Sequence, residues 1–212
     1  KSIPRKNIKP FAGKPLIAWS IETALKSGMV DRTVVTTDDQ EIADVSKQFG
    51  AEIPFMRPAE LALDTTPSLP VLQHAVKWLK DNENYYPDYV LLMEPTSPAR
   101  QAFHIREAIA IAEKSGCDSV VSLNVVPGHY NYHWQVKLTG DKRAVFEGGT
   151  PVLDVIRRRQ DLPQTYFRNG AIYLFKPGLL FAQEPSFYGL NVQDYVMDEK
   201  YTLALDTEND WR

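Results

Sequence analysis

Tyr89-Val90-Leu91-Leu92-Met93-Glu94-Pro95-Thr96-Ser97-Pro98-Ala99-Arg100 is the stretch that decides the fold. Its first five residues form an unbroken apolar run, the pattern of a central strand in a parallel sheet buried on both faces. Polar chemistry starts where the run stops, with a carboxylate, two hydroxyls and a guanidinium among prolines. On either side, helix and strand patterns alternate. Toward the N-terminus, the spacing predicts a helix over Pro15 to Leu25 stopped by Gly28, and a short strand Thr33-Val34-Val35-Thr36. A helix from Glu41 to Phe49 follows, capped by Asp38 or Asp39 and ended by Gly50, then an edge strand Ile53-Pro54-Phe55-Met56. An irregular polar segment from Arg57 to Pro67 leads into a helix from Ser68 to Lys80 with Leu72, Val76 and Leu79 on one face. Toward the C-terminus come a helix from Ile105 to Lys114, a strand Ser119 to Leu123 and, much later, a strand Gly170 to Phe175. Such alternation predicts an α/β fold with a doubly wound, mostly parallel sheet. Ligands bind such sheets outside the carboxyl ends of the strands.

The 212 residues suffice for one domain with a substantial core, and the expected division is 1–124 as an α/β core, 125–165 as an inserted lobe and 166–212 as a return to the core. The lobe breaks the alternation and carries Tyr130-Asn131-Tyr132-His133-Trp134, an aromatic run suited to a partner surface such as a second subunit. A net charge of −3 gives no general reason to bind nucleic acid. One cysteine excludes an internal disulfide and fits a reducing compartment, so the cytoplasm is the default. No apolar run is long enough to span a bilayer.

Charge is local instead. Residues 1 to 17 hold five cations, Lys1, Arg5, Lys6, Lys9 and Lys14, and no acid. A cationic loop running into a helix at Pro15 can hold a polyphosphate, although a solvated cationic face is the commoner use of such a run. No strand precedes this loop, which suggests that a first β-strand lies outside the sequence. The sequence also stops at Trp211-Arg212 as a last helix begins.

The sheet's rim therefore collects the opening loop, Asp38, Arg57, Glu94 to Arg100 and Asp206-Thr207-Glu208. It has no Ser/His/Asp order and no metal-binding histidine spacing, and four scattered histidines argue against zinc. Cations, amides and a carboxylate fit Mg²⁺-assisted phosphoryl or nucleotidyl transfer. Asp206 is a metal ligand or the N-cap of a terminal helix, and Thr96 and Ser97 are site residues or helix caps; position alone leaves both pairs open.

Six segments in order carry a more specific resemblance: Lys1 to Asn7, Arg57-Pro58-Ala59-Glu60-Leu61-Ala62, Pro95 to Arg100, Arg159-Gln160-Asp161-Leu162-Pro163, Asn169 to Tyr173 and Asp206-Thr207-Glu208. Together they resemble the CMP-sialic acid synthetases, or acylneuraminate cytidylyltransferases, of the bacterial branch handling legionaminic-type nonulosonic acids. The resemblance implies a Rossmann-like nucleotidyltransferase fold, an inserted lobe that dimerises, and coupling of CTP to an acidic nine-carbon sugar with Mg²⁺. It implies that Lys1 and Lys6 hold the CTP phosphates and that Asn7, Arg57 and Ser68 recognise cytosine and ribose. Thr96, Ser97, Arg100 and Asn169 fall in motifs at the sugar site, and Arg159 meets the sugar carboxylate or the phosphates.

Two departures stand out. The family usually has Gln where this chain has Glu94, and it ends its last core strand in Asp-x-Asp, where this chain has Ala204 before Asp206. In one reading Glu94 supplies the metal carboxylate that Ala204 cannot; in the other it meets a different sugar substituent. Two rivals follow: a nucleotidyltransferase for another acid such as 3-deoxy-octulosonate, or a disabled homologue that only binds.

Overall fold

The computed structural model of the chain describes residues 3–138, 144–146 for the backbone alone, and 154–211. Lys1 lies outside them.

After the opening loop, strands β1 (Pro10–Phe11) and β2 (Lys14–Pro15) form a tight antiparallel hairpin leading straight into helix α1 (Leu16–Ser27). Pro15 takes the N-cap of α1 rather than its first helical position, and Gly28 ends it at φ 66°, a left-handed conformation that costs glycine little. Helix α2 (Gln40–Gln48) is capped by Asp39, whose Oδ1 accepts from the amides of Glu41 (2.9 Å) and Ile42 (3.1 Å). Helix α3 spans Ser68–Glu83 and buries Leu72, Val76 and Leu79 as the spacing predicts; α4 spans Ala102–Ser115.

The main sheet is mixed. Strands β3 (Val90–Leu92), β4 (Ser119–Val125), β7 (Tyr166–Phe175) and β8 (Val192–Val196) lie in the order β3-β7-β4-β8. A small antiparallel pair, β5 (Val136–Leu138) and β6 (Ala144–Phe146), stands apart. β7 runs antiparallel to both β3 and β4, and β8 runs parallel to β4. So β3 and β4 point the same way, as expected, but an antiparallel strand lies between them. The reason is topological: β7 re-enters the sheet from the rim, where β4 has left it. The apolar run at β3 records burial of both faces and carries no information about strand direction. Leu91 packs toward α4 with Ile105, Ile172 and Leu174, whereas Val90 and Leu92 pack toward α3 with Leu72 and Val76.

The expected strands at 33–36 and 53–56 reduce to one parallel bridge, Val34 to Glu52, with Glu52 N donating to Thr33 O at 2.7 Å and Val35 N to Glu52 O at 3.0 Å. Ile17, Ile21 and Ala51 bury this segment against α1 and α2. Among the described residues no helix is long and apolar enough to cross a membrane.

One irregularity bears on the rim. Between the pairs Val121–Tyr173 and Leu123–Arg168, β4 has Ser122 alone and β7 has Asn169 to Ile172. This bulge places Gly170 at φ 72°.

Candidate nucleotide and acid-sugar site

The opening loop turns tightly. Arg5 sits at φ 53°, and a 3-10 turn over Lys6–Ile8 follows. Its described cations are paired with acids. Arg5 meets Asp39 and Glu41, Lys9 meets Glu208 at 3.5 Å, and Lys14 meets Glu22 at 2.8 Å. Lys6 Nζ donates to Asp206 Oδ1 at 2.9 Å. The predicted phosphate lysine and the predicted metal carboxylate, 200 residues apart, are thus in contact. The C-terminal segment is held there by ring packing of Trp211 on Phe11 (5.8 Å) and by Lys9 over the Trp211 ring (4.5 Å). In the last turn the Asp210 Oδ2 accepts from the amides of Asp206 (2.9 Å) and Thr207 (2.7 Å).

Asn7, Arg57, Ser68 and Glu94 line one cavity of about 1060 Å³, with Thr36 and Asp38 between them. Its lining mixes apolar side chains, Ile17, Ile21, Val76 and Leu91 among them, with polar and charged ones such as Ser20, Thr37, Asp31 and Arg32. Arg57 Nε donates to Thr36 Oγ1 at 3.2 Å and its Nη2 to Thr36 O. Burial lowers its pKa, with Asp38 opposing. Thr36 was not singled out in the sequence; a β-branched hydroxyl ending an extended segment at the rim is the signal that marks it.

On the expected sugar side, the Glu94–Arg100 loop closes through Ser97 N to Glu94 O (3.2 Å), and Leu205 N donates to Thr96 O at 3.0 Å, laying the Asp206 segment beside Thr96. Burial pushes the Glu94 carboxyl up; Arg100 and Lys6 pull it back and Asp206 adds to the rise. Glu94, Lys6 and Asp206 therefore share one electrostatic environment. Ser97 is buried and donates to Asn169 O at 3.3 Å.

Two expected sugar-site residues turn inward. Arg100 is 2% exposed, and its guanidinium is spent on the protein. Burial lowers its pKa to about 9, with Glu94 opposing. The Asn169 side chain sits in the β7 bulge, its Oδ1 accepting from Ser122 Oγ (2.6 Å) and Ala171 N (3.0 Å) and its Nδ2 donating to Asn124 Oδ1 (2.6 Å). Arg159 is exposed on a 3-10 turn and packs on Gly128, where an added Cβ would lie 2.7 Å from Arg159 Nε. The described contacts do not bring it to the rim.

Among the described residues no group of three or more His, Cys, Asp or Glu side chains is placed to hold a metal. Asp206, with 62% side-chain exposure, and Glu94, on the cavity lining, are the carboxylates that could offer oxygen donors. That set suits Mg²⁺ carried on substrate phosphates, which keeps waters and needs few protein ligands.

The mixed sheet and its helices form an α/β nucleotidyltransferase fold, as the solved structures it matches show. The structure of CMP:2-keto-3-deoxy-manno-octonic acid synthetase complexed with CTP shares it at a TM-score of 0.68 and 15% identity, over 99% of this chain and 89% of that one. The chain belongs to the cytidylyltransferase family, whose sequence profile matches residues 1–206. It is 31% identical over its whole length to CMP-N,N'-diacetyllegionaminic acid synthase of Legionella pneumophila, covering 88% of that protein. It is 30% identical to N-acylneuraminate cytidylyltransferase of Streptococcus agalactiae, again over its whole length, but spans only 49% of that longer protein.

Proposed function

We propose that the chain transfers CMP from CTP to the anomeric hydroxyl of a nonulosonic acid, an acidic nine-carbon 2-keto sugar, and releases pyrophosphate. The observation that carries the reading is the contact of Lys6 with Asp206 together with a cavity lined by Asn7, Arg57, Ser68 and Glu94, in a chain whose family is cytidylyltransferase. Lys6, with Lys1 by its place in the sequence, holds the CTP phosphates. Asn7, Arg57 and Ser68 bind the cytosine and ribose, with Thr36 fixing the Arg57 fork. Thr96 borders the acid sugar; Arg159, which the described contacts leave off the rim, is the candidate for the sugar carboxylate only by its place in the motif, a planar guanidinium being the natural partner of a carboxylate.

The anomeric oxygen forms a bond to the α-phosphorus as the bond from that phosphorus to the bridging oxygen breaks; the electron pair leaves with pyrophosphate, and the hydroxyl proton is released to solvent. Holding both substrates in line at one rim supplies much of the rate. Mg²⁺ held by Asp206 would neutralise charge on the triphosphate and on the departing pyrophosphate. Glu94 is either a second carboxylate for that ion or a contact for the sugar. A Mg²⁺ titration of Glu94→Gln separates the two: a raised Mg²⁺ requirement supports the first, an unchanged one the second. The aromatic and aliphatic side chains exposed on the lobe, Tyr130, Tyr132, Val136 and Leu138 among them, support a homodimer formed there. We place the enzyme in the cytoplasm, where CTP is supplied.

The test is pyrophosphate release with each of the four common nucleoside triphosphates against a panel of 2-keto acid sugars. Release with CTP and a nine-carbon acid alone is expected. Release with 3-deoxy-octulosonate alone would shift the substrate class, and silence with CTP still bound would make the chain a binding homologue.

A further inference from the structure

We propose that Arg100 is the positioning residue of the reaction rim, a buried strut that sets the Glu94–Arg100 loop against helix α1 and strand β7 without touching a ligand. Its Nη2 donates to Ser20 Oγ at 2.6 Å, its Nη1 donates to Ala171 O, and the two nitrogens reach Glu94 O at 3.4 and 3.5 Å. Its own carbonyl accepts from Thr23 Oγ1 at 3.4 Å. Ser20 and Thr23 lie three positions apart on α1, so the residue grips one side of that helix at two points. The grip matters because α1 is also tied to the phosphate loop, Leu16 N donating to Lys9 O at 3.1 Å. One side chain therefore fixes the distance between the loop bearing Lys6 and Asn7 and the loop bearing Glu94 and Thr96.

The chemistry fits a strut better than a substrate contact. At 2% exposure no face of the guanidinium is open to a ligand, and its Nε has no partner at all. Burying an unpaired cation is expensive unless fixed dipoles surround it, and here carbonyl oxygens from two elements and a hydroxyl from a third supply them. The planar fork is what lets one residue reach all three. A lysine carries its donors on a single atom and cannot span them.

This inference rests on the proposed reaction for what the rim does, but not for how the rim is ordered. The experiment is therefore amide hydrogen exchange on the full chain, alongside turnover, for the parent protein, Arg100→Lys and Ser20→Ala. The reporting amides are Ser97 and Leu205, which bond Glu94 O and Thr96 O. Their exchange is expected to rise about tenfold or more in Arg100→Lys and by less in Ser20→Ala, while the interior of α4 exchanges as in the parent. Turnover is expected to fall about 10²-fold in Arg100→Lys, the effect of a small misplacement, with the KM for the acid sugar within about threefold. Unchanged exchange at Ser97 and Leu205, or a uniform rise including α4, overturns the proposal. So does a raised KM with turnover intact, which would make Arg100 a substrate contact. If Arg100→Lys does not fold, Ser20→Ala alone carries the exchange test. A parent protein silent toward every acid would sink the reaction and leave the exchange result decisive for Arg100.

Discussion

Replacing Asn169 with Ala separates a structural asparagine from a sugar-binding one. The side chain bridges β4 and β7 at the bulge through three strong contacts, to Ser122 Oγ, Ala171 N and Asn124 Oδ1, and a weaker one to Met197 Sδ at 3.3 Å. After truncation the Ser122 hydroxyl still reaches Ile172 O at 3.2 Å. Ala171 N and Asn124 Oδ1, in residues 2% exposed, lose their partner, and only water entering the bulge could replace it. A buried polar group left without its partner costs about 1–3 kcal/mol, so two cost roughly 2–6 kcal/mol. The lower half of that range is expected, because the bulge is only half-buried and water can enter. In a chain of this length that loss lowers the melting temperature by about 2–4 °C per kcal/mol. Urea unfolding with the slope held constant is the assay. A loss under about 0.5 kcal/mol, the range of an ordinary surface change, together with weakened binding of the acid, would refute the reasoning and return Asn169 to the sugar.

Three further outcomes follow from the geometry. Lys6→Met and Asp206→Asn each break an ion pair open to solvent, so unfolding is expected to move by less than about 1 kcal/mol, while turnover falls about 10²-fold or more; comparable losses in both assays would make the pair structural. His104 is 1% exposed, and burial holds its pKa down to about 4 against an ordinary 6.5. The unfolded chain therefore binds a proton first, so stability is expected to fall as pH drops from 6.5 toward 4, by up to about 3 kcal/mol. His104→Gln, able to keep an acceptor for the Gln101 amide, is expected to flatten that slope; an equal slope contradicts the assignment. Gly128→Ala drives a Cβ against Cγ, Cδ and Nε of the exposed Arg159 side chain, which must swing away. Stability is expected to hold within about 0.5 kcal/mol while the KM for the acid rises, and an unchanged KM removes Arg159 from the sugar site.

The helices were legible because each carries its own punctuation: Gly28 and Asp39 act through neighbours a few residues away. The sheet was only half legible. Apolar runs at 89–93 and 119–123 reported burial, but the antiparallel insertion of β7 depends on where the chain leaves and re-enters the sheet, which no local pattern encodes. At the rim, the residue types were readable and their directions were not. Lys6 and Asp206 meet, yet Arg100, in the loop before α4, and Asn169, within β7, are equally polar and point inward to satisfy groups of the bulge and loop. The acids that balance the opening cations, Asp39, Glu208 and Asp206, come from distant segments and left no trace in the composition of the loop itself.

The central claim is transfer to the α-phosphorus by the sugar's anomeric oxygen. The most direct measurement starts from a nonulosonic acid labelled with ¹⁸O at that hydroxyl, reacted with CTP and Mg²⁺, with both products weighed by mass spectrometry before the label exchanges with water. The account predicts the label in the CMP-sugar and none in pyrophosphate. Label in pyrophosphate, or no CMP-sugar while CTP remains bound, would contradict it.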